Sequence, residues 1–164
     1  MVALEPITPK RAMVLKGVRL RALQDTPTAF NSTYAKESQI SDAAWVARAA
    51  QWSNEKSAGY LAMDDGIACG IACGLLDELD TSRAHLLSMW VAPSHRRLGI
   101  GRSLVEAILD WAGNQGVRTL LLQVTSNNDA AITFYQRLGF TPTGRTEPYV
   151  NDAALLNLEM ARTI

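Results

Sequence analysis

Only two cysteines and two histidines occur in the 164 residues, and aromatic residues make up 7%. Neither sign of charge is in excess, with 16 basic residues against 16 acidic ones. That balance excludes a general electrostatic nucleic-acid binder, which needs a basic surplus. No apolar run reaches the roughly 18 residues of a membrane span, and the opening Met1 to Glu5 has neither a basic region nor an apolar leader core. His85 and His95 stand alone, so no Cys/His cluster has metal-site spacing. Cys69 and Cys73 share one extended run, where about 3.3 Å per residue separates them by about 13 Å, too far for a local disulfide. Repeats, low-complexity tracts and flexible linkers are missing too, so a single domain over 1–164 is expected. These absences predict a soluble cytoplasmic protein with reduced thiols, no metal, and no nucleic-acid or membrane partner.

What is present is a 48% hydrophobic chain, long enough to bury a core. Val2 to Ile7 alternates as a first strand. Thr8 offers a cap and Pro9 suits the first helical position, and Leu15, Val18 and Ala22 carry a helix to about Gln24. Asp25 to Ile40 reads as a long connection, a kind of segment that is often functional. Ser41 caps a second helix bearing Trp45, Ala49 and Trp52. Gly59–Met63 and Ile67–Leu76 form strands around an Asp64-Asp65-Gly66 turn, and Arg83–Val91 is the next strand. Ile100, Leu104, Val105, Ile108 and Ala112 describe an amphipathic helix ending near Gly113 or Gly116. Arg118–Thr125 is a buried strand, Asn128–Leu138 a helix, and Thr141–Thr146 and Ala153–Met160 the last strands. The order β-α-α-β-β-β-α-β-α-β-β predicts an α/β fold, a mixed sheet flanked by helices, with a parallel right-handed crossover over 85–125.

Pro93 to Leu104 carries the chemistry. It runs from a strand end into a helix, where the first N–H groups have no internal partner and the helix dipole favours an anion. Gly99 and Gly101 permit close approach, and Arg96, Arg97 and Arg102 add charge. A phosphate-bearing ligand follows; the bland alternative is a glycine-containing loop with solvated arginines. A P-loop sequence is absent. A dinucleotide fingerprint would need glycine where Leu104 sits and an acid where Asn127 and Asn128 stand, with Asp129 merely close by.

The run Arg96-x-x-Gly99-x-Gly101 opening a helix resembles the acyl-CoA-binding motif of the GCN5-related N-acetyltransferase (GNAT) superfamily. A second block, Asn128, Ala131, Tyr135, Gly139 and Phe140, resembles that family's later N-x-x-A-x-x-x-Y-x-x-x-G-F pattern. The resemblance covers roughly 83–145 and implies a centrally splayed sheet. It implies that the pantetheine arm of acetyl-CoA lies between the strands ending near Val91 and Thr125, against the backbone of Met89, Trp90 and Val91. It further implies that the pyrophosphate rests on the amides of Arg96, Arg97, Leu98, Gly99, Ile100, Gly101, Arg102 and Ser103, with Asn128 and Ala131 beside the arm.

The implied reaction moves an acetyl group to a primary amine of a small molecule or peptide by direct attack in a ternary complex. Tyr135 is the candidate proton donor to the leaving thiolate. Asn128, Ala131 and Tyr135 share a helix face, although Ala131, Phe134, Tyr135 and Leu138 also form an apolar stripe that would make Tyr135 core. The family often carries a glutamate where His85 stands, so His85 is the candidate base, directly or through water. Alternation puts His85, Leu87, Met89 and Val91 on one apolar face, which suits a structural histidine equally. Asp77, Glu78 and Asp80 read as solvated charges. Phe30, Tyr34, Trp45 and Trp52, with Glu147, Tyr149 and Asp152, fall where the superfamily builds its acceptor pocket; core and turn roles are the alternatives. The C-terminal strand 153–160 is apolar enough for a homodimer, or for burial within one chain. Rival functions are a non-catalytic acyl-CoA sensor and a dinucleotide-binding oxidoreductase.

Overall fold

The computed structural model describes residues 1–164 as one seven-stranded sheet with five α-helices. The strands are β1 (Val2–Pro6), β2 (Ser57–Asp64), β3 (Ile67–Leu76), β4 (Arg83–Val91), β5 (Thr119–Thr125), β6 (Thr141–Tyr149) and β7 (Asp152–Thr163). The helices are α1 (Ala12–Asp25), α2 (Tyr34–Glu37), α3 (Asp42–Gln51), α4 (Ile100–Asn114) and α5 (Asp129–Arg137). The sheet order is β1-β2-β3-β4-β5-β7-β6, and only the β4–β5 pairing is parallel. No helix is long and apolar enough to cross a membrane.

Small residues on β3 decide which face each helix covers. A Cβ on Gly70 would meet Leu104 at 3.1 Å, and one on Gly74 would meet Trp111 at 2.7 Å, so α4 lies close against that face. Its apolar stripe (Ile100, Leu104, Val105, Ile108 and Ala112) is buried as the spacing predicts. Ile71, pointing the other way, borders a space shared with Leu15 of α1 and Trp45 of α3. The sheet is therefore sandwiched between α1 and α3 on one side and α4 on the other.

The parallel pairing of β4 with β5 covers only Arg83, Ala84 and His85 against Thr119, Leu120 and Leu121. Beyond His85 the two strands part. A bulge in β4 accompanies the divergence: Leu87 pairs with Cys73 and Trp90 with Ile71, so Ser88 and Met89 both oppose Ala72. Ser88 takes the left-handed backbone region there, with φ 57°. The extra residue flips the alternation and corrects the expected face. His85 and Leu87 lie on the α1 side with Trp90, whereas Met89 and Val91 turn to the α4 side.

The Asp25–Ile40 connection also differs from expectation, since it contains the single-turn helix α2. The Thr33 side chain accepts from the Lys36 amide to start it, and Glu37 ends it in the interior, joined to Arg19 and Arg48. Sequence-local signals favour a loop; a distant ion pair overrides them. Thr8 makes no side-chain cap, and Pro9–Arg11 forms a 3-10 turn before α1. The strand expected at 153–160 runs on to Thr163 and pairs on both edges, with β5 and β6. Along it only Asn157 and Met160 are buried, and Leu156 is exposed.

Candidate active site

The parting of β4 and β5 opens a cleft of about 410 Å³ through the sheet. Leu86 to Met89 line one wall and Leu122 to Thr125 the other. Arg19, Phe30, Trp52 and His85 surround its α1-side mouth, and Asn128, Ala131 and Tyr135 border it from α5. Past His85 the edge of β4 facing β5 has no strand partner, so its outward amides and carbonyls are available to a ligand. The buried Thr125 hydroxyl, also on the wall, has no hydrogen-bond partner in the chain.

On the α4 side the glycine loop adjoins the cleft wall, where Gly101 packs beside Met89. Arg97 (φ 65°) and Gly99 (φ 81°) both take the left-handed region and curl the chain into the helix start. None of the amides of Arg97, Leu98, Gly99, Ile100, Gly101 and Arg102 donates to another backbone group; Ser103 is the first to do so, to the Gly99 carbonyl at 3.1 Å. Six consecutive free donors at a helix N-terminus form a strong cradle for an anion. Gly101 also serves packing. A Cβ there would meet Phe134 at 3.1 Å and Met89 at 3.3 Å, so its smallness lets α4 seat against α5 and the cleft wall.

The loop arginines contribute less free charge than expected. Arg96 donates to the Val91 carbonyl at 3.0 Å and to Asp25 at 2.5 Å. Asp25 also accepts from the Trp90 indole at 3.0 Å and from Thr26 at 2.9 Å. Burial opposes ionisation of Asp25, but these bonds outweigh it and hold the carboxyl below its ordinary range. Arg96 and Trp90 thus tie the loop to the end of α1. Arg102 pairs with Glu106 one turn on, at 2.9 Å. The cradle is made chiefly of backbone. Ile100 is buried in the core, and Leu98 stands exposed at the loop tip.

The two candidate catalytic side chains both line the cleft. Tyr135 is 8% exposed, its ring set edge-on against Phe134 and Phe140, and burial pushes its phenol above the ordinary range. It remains a protonated O–H throughout the neutral range. His85 is bonded through Nε2 to Asp77 at 2.8 Å. Asp77 is more than the solvated turn charge expected: the His85 bond, then the amides of Leu79 and Asp80, bring its carboxyl down to about 2. It fixes the imidazole with a permanent anion and leaves Nδ1 as the second ring nitrogen. The Asn128 side-chain oxygen caps α5 by accepting from the Ala131 amide at 3.2 Å, while its residue borders the cleft.

Of the aromatic residues expected around an acceptor, Phe30 and Trp52 line the cleft, Trp45 lines a smaller adjoining cavity, and Tyr34 lies outside both. Tyr149 is buried, its hydroxyl donating to the Phe30 carbonyl, and Asn151 reaches the Ser32 carbonyl at 3.3 Å. The β6–β7 turn therefore anchors the 29–31 segment that forms part of the cleft mouth. Gln123 and Thr125 reach the cleft from the expected strand, whereas Arg19 and Asn31 had no sequence signal, because long-range contacts with Ser88 and Asn157 accompany their placement.

A model of the Acetyltransferase (GNAT) family matches residues 20–140. The chain belongs to this family. A 70-residue stretch, 43% of the chain, is 37% identical to ribosomal protein bS18-alanine N-acetyltransferase of Escherichia coli K12 and covers 47% of that enzyme. The chain thus spans about half the length of the curated relatives it matches. Among solved structures, a GNAT-family acetyltransferase of Streptococcus pneumoniae superposes with a TM-score of 0.85 at 20% identity, covering 100% of this chain and 99% of that one. A Salmonella typhimurium protein solved with its cofactor acetyl-CoA gives a TM-score of 0.82 at 18% identity, over 99% and 94% of the two chains. At these identities the structural likeness is one of fold. GNAT membership, the mixed sheet and its central splay are as the sequence motifs imply.

Proposed function

We propose that the protein transfers the acetyl group of acetyl-CoA to a primary amine by direct attack within a ternary complex. One observation carries this reading. A cleft between the parting strands carries two side chains able to exchange a proton, Tyr135 and His85, and a helix start with six unpaired amides adjoins its Met89 wall. The residues present suit acetyl-CoA. The Arg97–Arg102 cradle would hold its diphosphate. The partnerless β4 edge from Met89 to Val91, the orphaned Thr125 hydroxyl, Asn128 and Ala131 would border its amide-bearing arm. When bound, it supplies an acyl group on a thioester.

The chain's own residues supply the proton chemistry. An alkylamine with a pKa near 10.4 arrives as an ammonium and must lose a proton before attack. His85 takes that proton, directly or through a water, while Asp77 holds the ring. An outward N–H of β4 donates to the acyl oxygen as charge gathers on it. Tyr135 holds a proton at its hydroxyl, delivers it to the departing sulfur, whose thiol pKa is about 8.5, and is reprotonated by the second proton that the nitrogen sheds as the amide forms. A covalent route through cysteine has no support, because burial pushes both Cys69 and Cys73 thiols up and away from thiolate. Two free, buried thiols also suit a reducing, cytoplasmic setting.

The test is a panel of primary amines incubated with acetyl-CoA, with free CoA followed by a thiol reagent. Amine-dependent release supports the reading. Binding of acetyl-CoA with no release for any amine would leave a non-catalytic acyl-CoA-binding domain.

A further inference from the structure

The α1-side mouth of the cleft carries cations and no carboxylate. Arg19, 14% exposed, donates through Nε and Nη2 to Glu37, both at 3.0 Å, and lies 4.8 Å from the centre of the Phe30 ring. Arg48 donates to the same carboxylate at 2.9 Å. Glu37 is buried behind them. Burial opposes its ionisation, but the bonds from Arg19, Ser32 and Arg48 hold its carboxyl below the ordinary range, so it is an anion. Two guanidinium groups therefore share one negative charge, which leaves one positive charge uncompensated at this wall.

Both arginines open onto a second cavity of about 210 Å³, which meets the main cleft at Arg19, Trp52 and Ser88. Gln51 and Ser88 are its other polar residues, beside Trp45. Trp45 is 1% exposed, and its ring lies under the Arg48 guanidinium, 5.0 Å from it. No aspartate or glutamate lines either cavity, and Asp77, the partner of the cleft residue His85, is engaged by that ring. A wall carrying two guanidinium groups, a surplus positive charge and no carboxylate is built for an anion.

We infer that the acceptor is an amine carrying its own carboxylate, which Arg19 and Arg48 hold while the amine enters the cleft toward His85. This rests on the acyl-transfer reading and narrows it: polyamines and other polycationic amines are repelled, and acid-bearing amines are selected. The carboxylate could belong to a free amino acid or to an acidic peptide that presents its amino terminus.

Two sets of matched acceptors test it on the full chain with acetyl-CoA. One pairs free amino acids with their carboxamides. The other pairs short peptides that differ only by Glu or Gln after the first residue. In at least one set the acid forms should exceed their amides by about 10- to 100-fold in kcat/KM, the usual range for a charged hydrogen bond, and the set that discriminates identifies the source. Arg48→Gln should bring the acid-to-amide ratio to within about threefold, and Arg48→Lys should retain part of it. Amides that match or surpass their acids in both sets, or a polyamine that outperforms them, would overturn this inference while leaving acyl transfer intact. Failure of every amine would remove both. The wild-type ratio decides the matter even where a variant does not fold.

Discussion

Tyr135 has the features of a proton donor: a hydroxyl bordering the cleft, no hydrogen-bond partner in the chain, and burial that keeps it protonated. Its ring contacts, centroids 5.2 Å from Phe134 and 5.8 Å from Phe140, would survive loss of the oxygen. Tyr135→Phe should therefore lower kcat by about 100-fold or more, within the range for general acid catalysis, while the dissociation constant of acetyl-CoA stays within about twofold. Steady-state kinetics beside calorimetric titration separate the two quantities, and an unchanged kcat would remove the acid role. The helix-face spacing of Asn128, Ala131 and Tyr135 was legible in the sequence, because it repeats within seven residues. The partnership of His85 with Asp77 was not. It depends on the turn between β3 and β4 folding back so that a residue eight positions earlier meets the imidazole.

Among the elements, α4 and its loop were the easiest to read, since a strong apolar stripe and two glycines fall together in one short stretch. The roles of those glycines separate only in the structure. Gly99 needs conformation, with φ 81° and nothing near a prospective Cβ, whereas Gly101 needs space against Phe134 and Met89. Gly99→Ala meets no clash, so its penalty is the roughly 1–2 kcal/mol of forcing a Cβ into the left-handed region. If the cradle binds the diphosphate, that strain should raise the acetyl-CoA dissociation constant by about 5- to 30-fold and leave kcat at saturation nearly unchanged. A rise in kcat/KM, or no effect on binding, would contradict the cradle. Strand β4 was harder to read. Its alternation looks uninterrupted from His85 to Val91, and nothing in the residue types marks Ser88 as the extra residue. The bulge arises from pairing with β3, and it alone puts Met89 across the sheet from His85.

Across the whole molecule the sheet is two halves, β1–β4 and β5–β7, joined in the strand direction by three residue pairs. The order of elements could be read from periodicity, but the α1-side mouth could not, because Arg19, Glu37, Phe30 and Tyr149 come together from separate parts of the chain. A ligand lying in the gap would bond to both halves and replace the missing strand pairing. Acetyl-CoA at a hundred times its dissociation constant should contribute about 2.7 kcal/mol, which raises the melting temperature of a chain this size by roughly 5–10 °C, whereas NAD should leave it unmoved. Hydrogen exchange locates the effect. The coenzyme should slow exchange at the Arg97–Arg102 amides and along both facing edges, residues 86–91 and 122–125, because an arm between the strands closes both at once. Protection confined to the glycine loop would place the arm outside the sheet, and Tyr135 would then have no sulfur within reach.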